Sequence, residues 1–275
     1  MHKICILGNS HVASLKPGWE QIKGSWPRVE VSFFAQAGVE GLHSVFVDGY
    51  HLTSRKSNAR ESFVLTHGEE CMDIWKYDSF LIYGAKSRNY WPGNTFYSMS
   101  CVKSVIEDLT CGTPAQHVLS CLREVSEAPI FIGHSPLRAA KIIWENNVSD
   151  DYLDGIQILN RWHYSRYDAE MVSQPLKTIV NSRNTAPEYS WGAPTLSSFL
   201  AGRDDKYVST DNTHMDGAFG EVWLNKFFAK RLSTLFKTWD LQVLLKGGRR
   251  SEGGSCELKE LSSLLWAFVS FPFAT

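Results

Sequence analysis

The chain has 275 residues, 43% hydrophobic and 13% aromatic, enough to bury the core of one α/β domain, alone or with an appendage. Lys and Arg number 28 against 29 Asp and Glu, a formal charge of −1, which argues against a nucleic-acid-binding surface and indicates no electrostatic partner. No segment has the ~20 consecutive apolar residues that a membrane-spanning helix needs.

Residues 3 to 8 read as a short apolar strand buried on both faces, followed by a helix over Val12 to Ile22 with apolar positions at helical spacing. Val29 to Phe34 alternates into a second strand that runs out at Gln36-Ala37-Gly38-Val39-Glu40-Gly41. Strand, helix and strand in this order form a right-handed crossover unit, with functional loops expected at the carboxyl ends of the strands. The polar stretch 44–73 reads as an insertion, expected to be a β-hairpin flap with a strand in the alternating Glu61 to Thr66. Ser79 to Gly84 and Pro129 to Gly133 restore the buried-strand pattern as the third and fourth strands, with two helices between Ser98 and Val125.

From Asp150 to Val172 the pattern is helical, and Lys177 to Val180 is open between a fifth strand and a loop. Tyr207-Val208-Ser209 leads to the stretch Asp211 to His214, and the last helix of the body is expected over Gly217 to Leu232. The body spans residues 1–240. Residues 241–275 then read as a Gly-rich linker, 246 to 255, and a short amphipathic tail in which Leu258, Leu261, Leu265 and Phe268 fall at helical spacing. The fold class expected is α/β, a three-layer α/β/α sandwich around a central parallel sheet.

Cysteines stand at positions 5, 71, 101, 111, 121 and 256 without a Cys-x-x-Cys pair, and they read as reduced thiols. The first strand begins almost at Met1 with no basic leader before a long apolar stretch, so a cytoplasmic protein is expected. No His, Asp or Glu grouping has metal-ligand spacing, and neither metal nor cofactor is expected. The sequence leaves the oligomeric state open.

Two short stretches carry the chemistry. Gly8-Asn9-Ser10-His11 places a serine hydroxyl where the first strand ends, and far downstream Asp211-Asn212-Thr213-His214 places a carboxylate three residues before a histidine. A serine is a poor nucleophile at neutral pH and needs a base within hydrogen-bond reach; an acid one turn from that base can orient it. Ser10, His214 and Asp211 therefore read as nucleophile, base and orienter.

With these motifs in this order, one behind the first strand and the other before the last helix, the chain resembles the SGNH hydrolases, or GDSL esterases and lipases. The resemblance implies a serine esterase of flavodoxin-like α/β/α architecture with an oxyanion hole of three donors. These are the Ser10 backbone N–H, a glycine after the second strand matched by Gly38, and an asparagine after the third. At the third position the chain has Gly84-Ala85-Lys86-Ser87, leaving Lys86 or Asn89 as substitutes. His134, after the fourth strand, and Trp91, in the turn-rich Asn89 to Asn94, are expected to line the substrate pocket. His11 reads as a helix starter, His163 as part of an exposed helix face or lid, and Asp216 as the start of the final helix.

The activity implied is hydrolysis of short acyl esters, such as O-acetylated carbohydrate, through an acyl-serine. Two alternatives use the same residues differently: transfer of the acyl group to another alcohol, and a non-catalytic module that binds glycan or protein. The partner expected in the first two is a small-molecule or carbohydrate ester.

Overall fold

A computed structural model describes residues 1–38, 41–93, 96–199 and 203–232. The chain begins with strand β1, His2–Gly8, which passes directly into helix α1, Val12–Ile22, and then strand β2, Val29–Ala35. A hairpin of β3, Val45–Asp48, and β4, His51–Ser54, precedes helix α2, Ser57–His67, and the two-residue β5, Met72–Asp73. Strand β6, Ser79–Tyr83, helices α3, Met99–Thr110, and α4, Pro114–Val125, and strand β7, Ile130–Gly133, follow. Helix α5, Asp151–Trp162, strand β8, Ala169–Val172, the short pair β9, Ile179–Val180, and β10, Asn184–Thr185, and helix α6, Gly217–Phe227, complete the elements.

The central sheet has five strands in the order β2-β1-β6-β7-β8, all parallel, with helices on both sides: a three-layer α/β/α sandwich. Alternation along the strands builds its two cores. Cys5, Leu7, Phe80, Ile82, Ile130 and Ile132 share one cluster with Ile106, Val118, Leu122 and Leu159 of α3, α4 and α5. On the opposite face Tyr83 and Phe131 meet Trp223 and Phe227 of α6 edge-on, at ring separations of 5.0 and 5.2 Å. Strands buried on both faces explain the unbroken apolar runs of β1 and β6.

The chain leaves β1 for β2 on one side and returns to β6 on the other, so the switch in strand order falls at β1. Ligands of such sheets bind outside the carboxyl ends of the strands at this switch. Gly8 is required here because a Cβ would stand 2.1 Å from the Tyr83 carbonyl oxygen.

Two expectations change. Glu61 to Thr66 is not a strand: it lies inside α2, where Ala59 and Phe63 are buried one turn apart and Gly68, at φ +99°, closes the helix by donating to the Val64 carbonyl at 2.8 Å. The hairpin of the insertion is formed upstream instead, turning at Gly49 with φ +60°. The helix begun at Asp151 stops at Trp162, and the fifth strand of the sheet is Ala169–Val172 rather than Lys177 to Val180. As an edge strand of four residues with a mixed burial pattern, β8 lacks the long apolar run that marks the others.

The chain divides into two compact units, Met1–Phe227 and Phe228–Thr275. The final helix expected over Gly217 to Leu232 is α6, followed by a turn of π-helix at Phe228–Leu232. The expected boundary at residue 240, the linker and the amphipathic tail lie outside the described residues.

Candidate active site

Ser10 lies in the turn between β1 and α1, where the Val12 and Ala13 N–H groups donate to the Asn9 and Ser10 carbonyls at 3.0 and 3.1 Å. Asn9 fixes this turn by accepting the His11 N–H on its side-chain oxygen at 3.2 Å. The opposing loop is held in place by three backbone links. The Ala139 N–H donates to the Asn212 carbonyl at 2.7 Å, Asp211 N–H to Val208 at 2.9 Å, and Asp216 N–H to Tyr189 at 2.7 Å. Asp216 also caps α6, accepting the Phe219 N–H at 2.9 Å, as its placement at the helix start implies.

Between these loops the Ser10 Oγ is 2.9 Å from His214 Nε2, and His214 Nδ1 is 2.9 Å from Asp211 Oδ2. The other carboxylate oxygen, Oδ1, accepts the Thr213 N–H at 2.7 Å, the Thr213 hydroxyl at 2.9 Å and the His214 N–H at 3.0 Å. Burial pushes the Asp211 pKa up, but these hydrogen bonds outweigh it and hold the carboxyl well below its ordinary range. The acid therefore stays ionised, accepts Nδ1–H, and leaves Nε2 free to take a proton from Ser10.

The expected oxyanion donors are placed unevenly. Gly38, exposed at φ +77°, follows β2 on a loop tied beside Ser10 because the Gln36 N–H donates to the Gly8 carbonyl at 3.0 Å. After β6, Gly84, Ala85 and Lys86 are all left-handed, with φ of +71°, +48° and +57°. Two consecutive non-glycine residues in this region store strain at the sheet switch point. Lys86 is exposed, while Asn89 is buried and its amide nitrogen lies 3.5 Å from the Tyr152 carbonyl. Asn89 is thus turned into the core and does not join the oxyanion group.

His134 does not line a pocket. Its buried ring donates from Nδ1 to the Ser135 carbonyl at 2.7 Å and accepts the Tyr152 hydroxyl on Nε2 at 2.7 Å, and Tyr152 in turn accepts the Gln174 N–H at 2.6 Å. Both nitrogens are committed, Nδ1 to the local turn after β7 and Nε2, through Tyr152 of α5, to the segment that follows β8. His163 is likewise buried, between Thr110 and Gln116, rather than on an exposed face. Trp91 packs at 5.6 Å on Tyr152 and under the Arg183 guanidinium at 4.6 Å, with Asn89 and Tyr90 beside it buried rather than exposed. A groove of about 750 Å³ runs from Pro92 and Gly93 along Asp150, Asp154 and Trp162 of the α5 region and includes none of Ser10, Asp211 or His214.

No family model and no curated protein matches the chain. Among solved structures, the crystal structure of the protein YxiM from Bacillus subtilis is similar at 14% identity and a TM-score of 0.36, over 83% of this chain and 56% of that one. A water-forming NADH oxidase from Lactobacillus brevis, bound to NADH, is similar at 11% identity and a TM-score of 0.18, over 62% of this chain and 46% of that one. The chain thus spans little more than half the length of the first.

Two side chains beside His214 had no catalytic role assigned from sequence, where His11 reads as a helix starter; it stands at the N-cap of α1 but makes no side-chain cap hydrogen bond. Tyr207 stacks on the imidazole with ring centroids 3.7 Å apart and planes within 8°, and the His11 ring stands 5.0 Å away. Burial, then the His214 charge, lower the His11 pKa to about 3 against the opposing pull of Asp211, so His11 is neutral beside the base. Adjacency to Ser10 was the one sequence signal for His11. Tyr207 had none, because the stack is created by the backbone turn between Val208 and Asp211. Among the described residues no group of three or more His, Cys, Asp or Glu is placed to hold a metal ion, and no helix is long and apolar enough to cross a membrane.

Proposed function

We propose that the chain is a serine ester hydrolase of the SGNH type that works through an acyl-Ser10 intermediate. The observation that carries this reading is the continuous line from Ser10 Oγ to His214 Nε2 and from His214 Nδ1 to Asp211 Oδ2, with both links at 2.9 Å. Ser10 Oγ attacks the ester carbonyl carbon while its proton passes to Nε2, and ionised Asp211 stabilises the imidazolium so formed. Backbone N–H groups of Ser10 and Gly38 at the sheet edge face the oxyanion. The leaving alcohol takes the proton from Nε2; water then attacks the acyl-serine carbon while giving a proton to Nε2, and His214 passes that proton to Ser10 Oγ as the acid departs.

Short acyl esters, such as O-acetylated carbohydrate, suit a site in which Tyr207 and His11 crowd the imidazole that serves Ser10. Hydrolysis of a series of short and long nitrophenyl esters tests the reading. The wild type is expected to prefer the short chains, and Ser10→Ala to abolish turnover; equal rates in the two proteins would remove the proposed nucleophile.

A further inference from the structure

Neither side chain expected to complete the oxyanion group has a hydrogen bond at Ser10 among the described residues: Lys86 is exposed and Asn89 is turned toward Tyr152. A different side chain stands at the nucleophile. Tyr207 lies flat on the His214 imidazole at 3.7 Å, and the same imidazole holds Ser10 Oγ at 2.9 Å, so the phenol stands beside the nucleophile. We propose that Tyr207 is a further catalytic residue: its ring fixes the plane of His214, and its hydroxyl donates to the oxygen that becomes negative when Ser10 attacks. This rests on the reading of Ser10 as the nucleophile.

Geometry makes one hydroxyl sufficient. In the tetrahedral intermediate the former carbonyl oxygen and Ser10 Oγ are bonded to the same carbon, so a donor already near Oγ reaches the oxyanion by a small rotation. Contacts of this kind are often long before substrate binds and shorten in the transition state. The donor is also pre-positioned by the backbone. The Tyr207 N–H donates to the Ala193 carbonyl at 2.8 Å, the Thr195 N–H donates to the Asp205 carbonyl at 2.9 Å, and Pro194 and Lys206 form an antiparallel bridge between them.

The phenol acts as a hydrogen-bond donor and gives up no proton. Burial raises its pKa, the Ser10 contact pulls the other way, and the Asp211 charge adds to the rise, so the O–H bond persists over the working range. The Ser10 proton passes to His214 Nε2 and on to the leaving alcohol, so the reaction balances without Tyr207. An aromatic face against the imidazole also stabilises the imidazolium as it forms. The other ionisable groups against His214 are Asp211 and neutral His11.

The test compares wild type, Tyr207→Phe and Tyr207→Leu, using a fluorophosphonate to label and count reactive Ser10 and nitrophenyl acetate to measure kcat per counted site. Tyr207→Phe keeps the ring and is expected to lower kcat by about 10–100-fold with KM unchanged, as for loss of one oxyanion donor. Tyr207→Leu loses the ring as well and is expected to fall about tenfold further. A residue that only supports the fold would lower the count of reactive sites and leave kcat per site intact, which would overturn the proposal. Wild type labelled at Ser10 and Tyr207→Phe labelled and turning over at the same rate would remove Tyr207 alone. A wild type that does not label at Ser10 would remove the nucleophile, and Tyr207 with it.

Discussion

At Asp211 the two carboxylate oxygens have separate tasks, and only one of them survives replacement by asparagine. Oδ1 gathers the Thr213 and His214 N–H groups and the Thr213 hydroxyl, which an amide oxygen can still do; Oδ2 accepts from Nδ1 of His214, where an amide would present a donor. Asp211→Asn should therefore keep the loop folded but turn the imidazole to the tautomer that cannot take the Ser10 proton. A fall in kcat of about 10³–10⁴-fold is expected, with KM and melting temperature little changed; steady-state kinetics that retain wild-type kcat would remove Asp211 from the site. The spacing of Asp211 and His214 and the position of Ser10 were legible because they are local signals. Tyr207, His134 and Asn89 were not, since each is defined by a contact across the chain that no neighbouring residue announces.

The two halves of the triad are borne at the starts of two helices, α1 directly after Ser10 and α6 shortly after His214, and these helices touch backbone to backbone. A Cβ on Gly220 would lie 2.0 Å from the Ser14 carbonyl oxygen, and one on Gly18 would lie 2.3 Å from the Glu221 nitrogen. Such contacts set how far apart Ser10 and His214 stand. Gly220→Ala separates this cause from helix propensity, because in an isolated helix alanine is the better residue by about 1 kcal/mol. Forcing the helices apart should instead cost about 1–3 kcal/mol, lowering the melting temperature by about 2–10 °C, and should reduce kcat as the hydroxyl-to-imidazole distance opens. A calorimetric scan showing a raised melting temperature would refute the packing argument. At this scale the sequence shows the sandwich through β1, β6 and β7, whose buried runs have no other explanation. It hides β8, an edge strand with one neighbour, and α2, whose local alternation resembles a strand until the capping Gly68 and the buried pair Ala59 and Phe63 are seen in place.

Across the whole molecule, neutral histidines join the elements of the sandwich. Burial lowers the His134 pKa to about 4, with the Ser135 carbonyl opposing and the Lys226 charge adding to the fall; burial, then Arg166, lower that of His163 to about 4. Released from the fold, both rings titrate near 6.5. Between those values the unfolded chain takes up protons that the folded chain refuses, so the stabilisation is complete above about pH 6.5 and is lost as the pH falls toward 4. Each ring accounts for about 2 kcal/mol by pH 5, and buried His11, held neutral lower still, adds to the loss over the same window, so the melting temperature falls by about 10 °C or more between pH 7.5 and pH 5. Asp211, whose pKa is also held down, withdraws its share only below about pH 4, so the two sources separate along the pH axis. Melting curves across this range, repeated with His134→Gln, test the assignment. The variant gives up the ring that accepts the Tyr152 hydroxyl, so it should melt lower than wild type at pH 7.5, and the gap should narrow at pH 5 because glutamine has no proton to gain. A gap that stays constant with pH would mean that His134 is not held neutral in the fold.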